Sequence, residues 1–138
     1  MSAEILFFSI IAITVSICDF KKHIIPDAIM LPAIIGLFGI AWIEGAEVTE
    51  ILIKIVMISI LFALPVLLNM AFGGGDIRFA IFVAILLSTQ ELMIFLILSG
   101  VLQTVFVTIS KRKVVGFAPA MSMASLLAYY QIELWELI

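Results

Sequence analysis

Hydrophobic residues in this chain fall in long continuous runs rather than in alternation, and polar residues gather in the short gaps between them. By hydropathy the runs cover about Ile5 to Cys18, Ala28 to Ile43, Ile51 to Phe72, Ile77 to Leu87, Leu92 to Ile109 and Val114 to Ile132. Membrane-spanning strands would alternate over about ten residues each, so continuous runs predict helices. The expected fold is all-α, a polytopic membrane helix bundle of six transmembrane helices. The fourth run is the odd one, because its eleven residues rise only about 16 Å against a hydrocarbon core of about 30 Å. It either starts deep or sits where the bilayer thins. Irregular backbone at membrane depth is tolerated only where protein buries it or water lines it, so the glycine run ahead of this helix predicts a wet cavity.

Composition agrees with that pattern: 65% of residues are hydrophobic and 12% charged, with a mean hydropathy of +1.37, far from a soluble globular domain. With 138 residues and little outside the runs, one bundle over residues 1–138 is expected, with no separate soluble domain. The first run begins Met-Ser-Ala-Glu4 without a basic stretch and ends at Asp19 rather than at a small-residue cleavage site, so it reads as a retained span. A net charge of −3, with lysines scattered in twos and threes, excludes a nucleic-acid partner. Cys18 stands alone, which excludes an internal disulfide and any multi-cysteine zinc site, and it reads as a small packing residue.

Basic residues near span ends collect on the cytoplasmic side of a membrane, which orients the bundle independently of hydropathy. With the N-terminus outside and six alternating spans, Lys21, Lys22, Arg78, Lys111, Arg112 and Lys113 fall at cytoplasmic connections. Glu44, Glu47, Glu50, Glu91, Glu133 and Glu136 fall on the opposite side, and both termini are extracytoplasmic. Lys54 alone is misplaced, and its stem is expected to snorkel from the outer end of the third span. Were residues 77 to 109 a single helix, the bias would collapse. The acidic cluster of Glu44, Glu47 and Glu50 reads as a solvated outer loop.

Two aspartates stand where spans break on the cytoplasmic side: Asp19 after the first run, Asp76 closing Gly73-Gly74-Gly75-Asp76. Carboxylates near hydrocarbon are costly and default to a functional reading. The glycines also fit a turn, able to adopt positive φ and admit another backbone closely, with Asp76 as N-cap of the fourth helix. Around the first aspartate, Lys21 and Lys22 read as topology anchors, Pro26 as the end of the loop and Asp27 as the cap of the second helix. Asp19 is not accounted for in that way, because the macrodipole disfavours a negative charge at a helix C-terminus. Gly36, Gly39 and Gly100 are expected to allow close helix packing. For metal chemistry His23 is the only histidine, with no acid–histidine cluster around it, and it reads as an interfacial loop residue. No metal and no cofactor is expected.

Together the two motifs resemble those of the prepilin and preflagellin peptidases, polytopic aspartyl proteases that remove the short leader of type IV pilin-like subunits. In that family an aspartate after the first helix is followed by basic residues and Ile-Pro-Asn or Ile-Pro-Asp, here Asp19, Lys21, Lys22, Ile25, Pro26 and Asp27; a second closes Gly-x-Gly-Asp, here Gly73, Gly75 and Asp76, with Arg78 two positions on. Gly116-Phe-Ala-Pro119 looks like the entry to the family's proline-containing last helix. The resemblance implies Asp19 and Asp76 as catalytic residues, and a membrane-inserted pilin-like precursor (pilin, Flp-type pilin or archaellin) as substrate, cut at the cytoplasmic boundary of its apolar helix. Longer members carry paired Cys-x-x-Cys motifs and also N-methylate the product. This chain has only Cys18, so cleavage without methylation is expected, as in the minimal peptidases of tight-adherence pili or archaeal filaments.

Hydrolysis by a dyad needs one carboxyl group to take a proton from the attacking water and another to support the tetrahedral species. Two carboxylates at close range share one proton. Gly73, Gly74 and Gly75 offer backbone for an extended substrate or serve turn-making alone; Asp27 as a third acid is set against its reading as a cap. Rival functions are a small proton- or ion-coupled carrier subunit with Asp19 and Asp76 as relay acids, and a non-catalytic assembly factor. Against the carrier, both acids sit on one side and no acid lies mid-span to continue a path.

Overall fold

The computed structural model describes residues 3–22, 24–68, 74–110 and 117–138. Six helices follow in order: α1 (Ala3–Lys22), α2 (Asp27–Ile43), α3 (Val48–Leu67), α4 (Gly74–Leu86), α5 (Thr89–Ser110) and α6 (Ala118–Leu137). The all-α bundle and its helix order match the hydropathy reading, while the boundaries shift. α1 runs through Asp19 to Lys22, because backbone hydrogen bonding continues past the last apolar residue and two lysines in the final turn suit the negative pole of the helix. Among the described residues α1 and α5 are long and apolar enough to cross a membrane, with α2 a shorter apolar helix. The outer face of α1 repeats exposed Leu6, Ile10, Ile13 and Ile17 at helical spacing, a stripe that water would penalise and lipid accepts.

Local chemistry ends and starts the helices. α2 begins after Pro26, whose carbonyl accepts from the amides of Ile29 and Met30, both at 3.1 Å. It closes in a Schellman motif: Gly45 adopts φ 94°, Gly45 N–H donates to Trp42 O at 3.1 Å and Ala46 N–H to Ala41 O at 2.9 Å. α5 opens with a reciprocal capping box, Ser88 N–H donating to Glu91 Oε2 at 2.7 Å and Glu91 N–H to Ser88 Oγ at 3.4 Å. Ser88-x-x-Glu91 is a legible signal for that box.

α4 lies inside the bundle, packed against α2 and α3 and touching α1 and α6, and residues 82 to 87 are all buried. A helix apolar all round belongs in such a core. Phe82 stacks on Phe8 of α1 with centroids 4.9 Å apart, and Phe79 lies 6.3 Å from the same ring. Enclosure by other helices explains how an apolar helix of only thirteen residues keeps its side chains covered.

In lipid, helix association relies on close packing and interhelical hydrogen bonds rather than on the hydrophobic effect. α6 accordingly buries small residues, Ala118, Ala120, Ser122, Ala124, Ser125 and Ala128. Ser122 meets Ser16 of α1 at 2.8 Å between hydroxyl oxygens, and the α1–α6 pair is antiparallel, since Asp19 meets Ala118 one turn further on. Gly36 admits the ring of Phe7, to which an added Cβ would come within 3.0 Å, as expected of a packing glycine. Gly39 and Gly100 do not: among the described residues nothing lies within 4 Å of the Cβ position at either.

Lys54 corrects the snorkelling expectation. Its side chain is buried rather than extended to the surface, and its ammonium donates to Leu87 O at 2.8 Å. The acceptor is a terminal carbonyl of α4, a stronger attraction for this cation than distant interfacial water.

Candidate active site

Asp19 occupies the penultimate turn of α1 and is 5% exposed. Its Oδ2 accepts the Ala118 amide at 3.0 Å in a buried bond. Ala118 opens α6, Pro119 follows, and Phe117 at the cap position supplies no side-chain bond of its own. Asp19 therefore caps α6 from another helix. The unfavourable pole of its own helix is offset by the favourable pole of α6, so part of the reason for an acid at this position is structural. The capped amide was not legible: Gly116-Phe-Ala-Pro119 marks a helix start, and nothing in it names a partner 99 residues earlier.

Asp76 is half-buried in the first turn of α4, third from its start. The expectation that it is the N-cap is corrected, since helical backbone begins at Gly74. The positive pole of α4 still favours its charge there. Gly73 lies outside the described residues, as do His23, Lys111, Arg112, Lys113 and Gly116. Gly75 is helical; among the described residues the positive φ belongs to Gly45 alone. What requires glycine at 75 is proximity, because a Cβ there would stand 2.9 Å from the Cβ of Ile25. Ile25, buried in the connection between α1 and α2, thus lies directly on the glycine segment.

Asp27 is not a cap either. Pro26 holds the cap position, with φ −73° and ψ 126°, and Asp27 is the first helical residue. The Asp27 carboxylate pairs with the Arg78 guanidinium, both side chains about half exposed. Electrostatic attraction to a cation on α4 draws it away from the α2 amides.

Three contacts therefore converge at one end of the bundle: Asp19 on Ala118, Ile25 on Gly75, and Asp27 on Arg78. Phe62 near the end of α3 adds a fourth, its ring centroid 6.5 Å from that of Phe117. The two motifs, far apart in sequence, meet through Ile25 and Asp27, and each carries an aspartate at a helix N-terminus. Asp19 is buried and Asp76 half-buried, and a carboxyl group is able to exchange a proton with water. Among the described residues no group of three or more metal-ligating side chains gathers.

A family model described as the type IV leader peptidase family matches residues 6–108. The match takes in both aspartates and both motifs and ends before α6, so the amide bound by Asp19 lies beyond it. No curated protein and no solved structure matches the chain.

Proposed function

Since the chain belongs to the type IV leader peptidase family, whose members act on pilin-like precursors, we propose that it is a membrane aspartyl endopeptidase using Asp19 and Asp76 to activate water. Its substrate is a membrane-inserted pilin-like precursor, cut where the short cytoplasmic leader meets the apolar helix. The observation that carries this reading is the seating of Ile25 on Gly75, which joins the segment after Asp19 to the segment before Asp76.

The chemistry follows from the two carboxyl groups. One accepts a proton as water adds to the peptide carbonyl, and the other, protonated, donates to the developing oxyanion; as the C–N bond breaks, the first passes its proton to the leaving nitrogen and the diol hydroxyl returns one to the second. No covalent enzyme intermediate is required. With one proton shared, the apparent pKa values belong to the pair. Helical backbone at Gly74 and Gly75 limits their service to substrate to the first-turn amides, which a helix leaves without internal acceptors.

The basic residues in the last turn of α1, on α4 and in the sequence that follows α5 support a multi-pass protein of the cell membrane with this end in the cytoplasm. The single cysteine supports cleavage without methylation. Full-length protein mixed with a pilin-like precursor tests the proposal by the mass of the product. Asp19→Asn and Asp76→Asn are each expected to abolish leader removal while the protein still inserts and accumulates. Normal processing by either variant removes that residue from the mechanism.

A further inference from the structure

Lys54 is a charged residue that the proposed chemistry does not use. It lies in the second turn of α3 and is 6% exposed, with Glu50 4.0 Å away on the preceding turn. Its Nζ donates to Leu87 O at 2.8 Å in a buried bond. Leu87 directly follows α4, and its amide still donates to Val83 O at 3.0 Å, so its carbonyl is one of those the helix leaves without an internal donor. A helix that crossed the whole bilayer would deliver these carbonyls to interfacial water. α4 ends with Leu87 fully buried, and a lysine from α3 reaches its end instead.

Asp76 stands at the other end of the same rod, about 16 Å away by helical rise. Residues 77 to 87 contain no glycine or proline to absorb a shift, and most of them are buried against neighbouring helices. A displacement at Leu87 is therefore passed to Asp76.

We propose that Lys54 is a positioning residue for Asp76: its ammonium, bound to the Leu87 carbonyl, sets the depth of α4 and hence of the carboxylate at its far end. The proposal rests on the reading of Asp76 as a member of the dyad. Lys54 touches neither substrate nor water in this role. It acts through the helix, where a misplacement of about 1 Å remote from the chemistry is enough to lower turnover about a hundredfold.

The test uses full-length protein in phosphatidylcholine–phosphatidylglycerol nanodiscs, with a designed precursor bearing a basic leader before an apolar helix, and measures kcat, KM and hydrogen exchange over residues 74 to 87. Lys54→Met is expected to lower kcat by between about ten- and a hundredfold, to leave KM within about twofold and to speed exchange in α4. Lys54→Arg keeps a cationic donor and restores most of kcat. Wild-type kcat and exchange in Lys54→Met overturn the proposal, as do a change confined to KM and an arginine variant as impaired as the methionine one. Should Lys54→Met fail to accumulate, Lys54→Gln, neutral and one atom shorter, gives an intermediate kcat, and a wild-type kcat there overturns the idea equally. Asp76→Asn is run alongside. Full activity in that variant removes the dyad itself, an outcome distinct from an inactive Asp76→Asn beside a fully active Lys54→Met, which removes only the tether.

Discussion

Asp19 makes a capping contact and has a proposed catalytic role, and one pair of substitutions separates the two. In Asp19→Asn the amide oxygen remains able to accept the Ala118 N–H, whereas in Asp19→Ala that buried donor loses its acceptor, now at 3.0 Å. An orphaned buried donor costs about 1–3 kcal/mol. Replacing the charged acceptor by a neutral one weakens the bond by roughly half, about 1 kcal/mol. Because Asp19 is only 5% exposed, water does not readily take the place of its carboxylate. Asp19→Ala is therefore expected to be the less stable variant by about 1–2 kcal/mol, and to expose the Ala118 amide to hydrogen exchange. Both variants lose leader cleavage. Denaturation by rising dodecyl sulfate in mixed micelles, followed by circular dichroism, measures the stability difference, and mass-resolved exchange at the start of α6 locates it. Equal stability of the two variants, with Ala118 protected in both, would refute the capping argument and leave the acid with a purely chemical role.

The glycines give predictions of opposite sign. Gly75→Ala places a Cβ 2.9 Å from that of Ile25 and is expected to destabilise by about 1–3 kcal/mol and to impair cleavage, whereas Gly39→Ala enters open space and stabilises α2 by about 0.5–1 kcal/mol; both are read from the same unfolding curves. The Asp27–Arg78 pair is about half exposed, so a double-mutant cycle to alanine is expected to give a coupling below about 1 kcal/mol that shrinks with added salt. Joint replacement of Ser16 and Ser122 by alanine removes an interhelical hydrogen bond of 2.8 Å and is expected to lower stability by about 0.6 kcal/mol, measured against each single variant.

Helix number and order were legible because the apolar runs are continuous rather than alternating and polar breaks separate them, even though the fourth is only eleven residues long. Helix ends were less so. Hydropathy stops at Cys18, but α1 continues four residues through Asp19 and both lysines, since backbone hydrogen bonds are indifferent to the side chain that ends an apolar run. Asp27 and Asp76 were both misread as caps by one local rule, an acid ahead of an apolar stretch. The rule cannot register Arg78, 51 residues from Asp27, or helical geometry already begun at Gly74. Lys54 failed for the same reason: its partner is a backbone carbonyl 33 residues away, which no side-chain pattern announces. For the candidate site, charge bias groups both aspartates on one side, and the Ile25–Gly75 and Asp27–Arg78 contacts bring their two segments to one end of the bundle.

The way these acids are held bears on how their charge is accommodated. A carboxylate near hydrocarbon needs compensation, and a lysine partner at close range would hold the charge too firmly for proton transfer while adding a second ion to desolvate. Helix N-termini supply part of the compensation here: Asp76 stands in the first turn of α4, and Asp19 takes the first amide of α6. Arg78, two residues from Asp76, is engaged by Asp27, which turns its charge toward the start of α2. Fixed amide dipoles stabilise an anion without titrating and without a mobile side chain, which suits the proton-transfer role proposed for these acids. On this argument the helix starts are part of the site. Moving the start of α6 by one residue, through insertion of a single alanine after Phe117, should impair cleavage even with both aspartates intact, and full activity in that insertion variant would separate the α6 terminus from the chemistry.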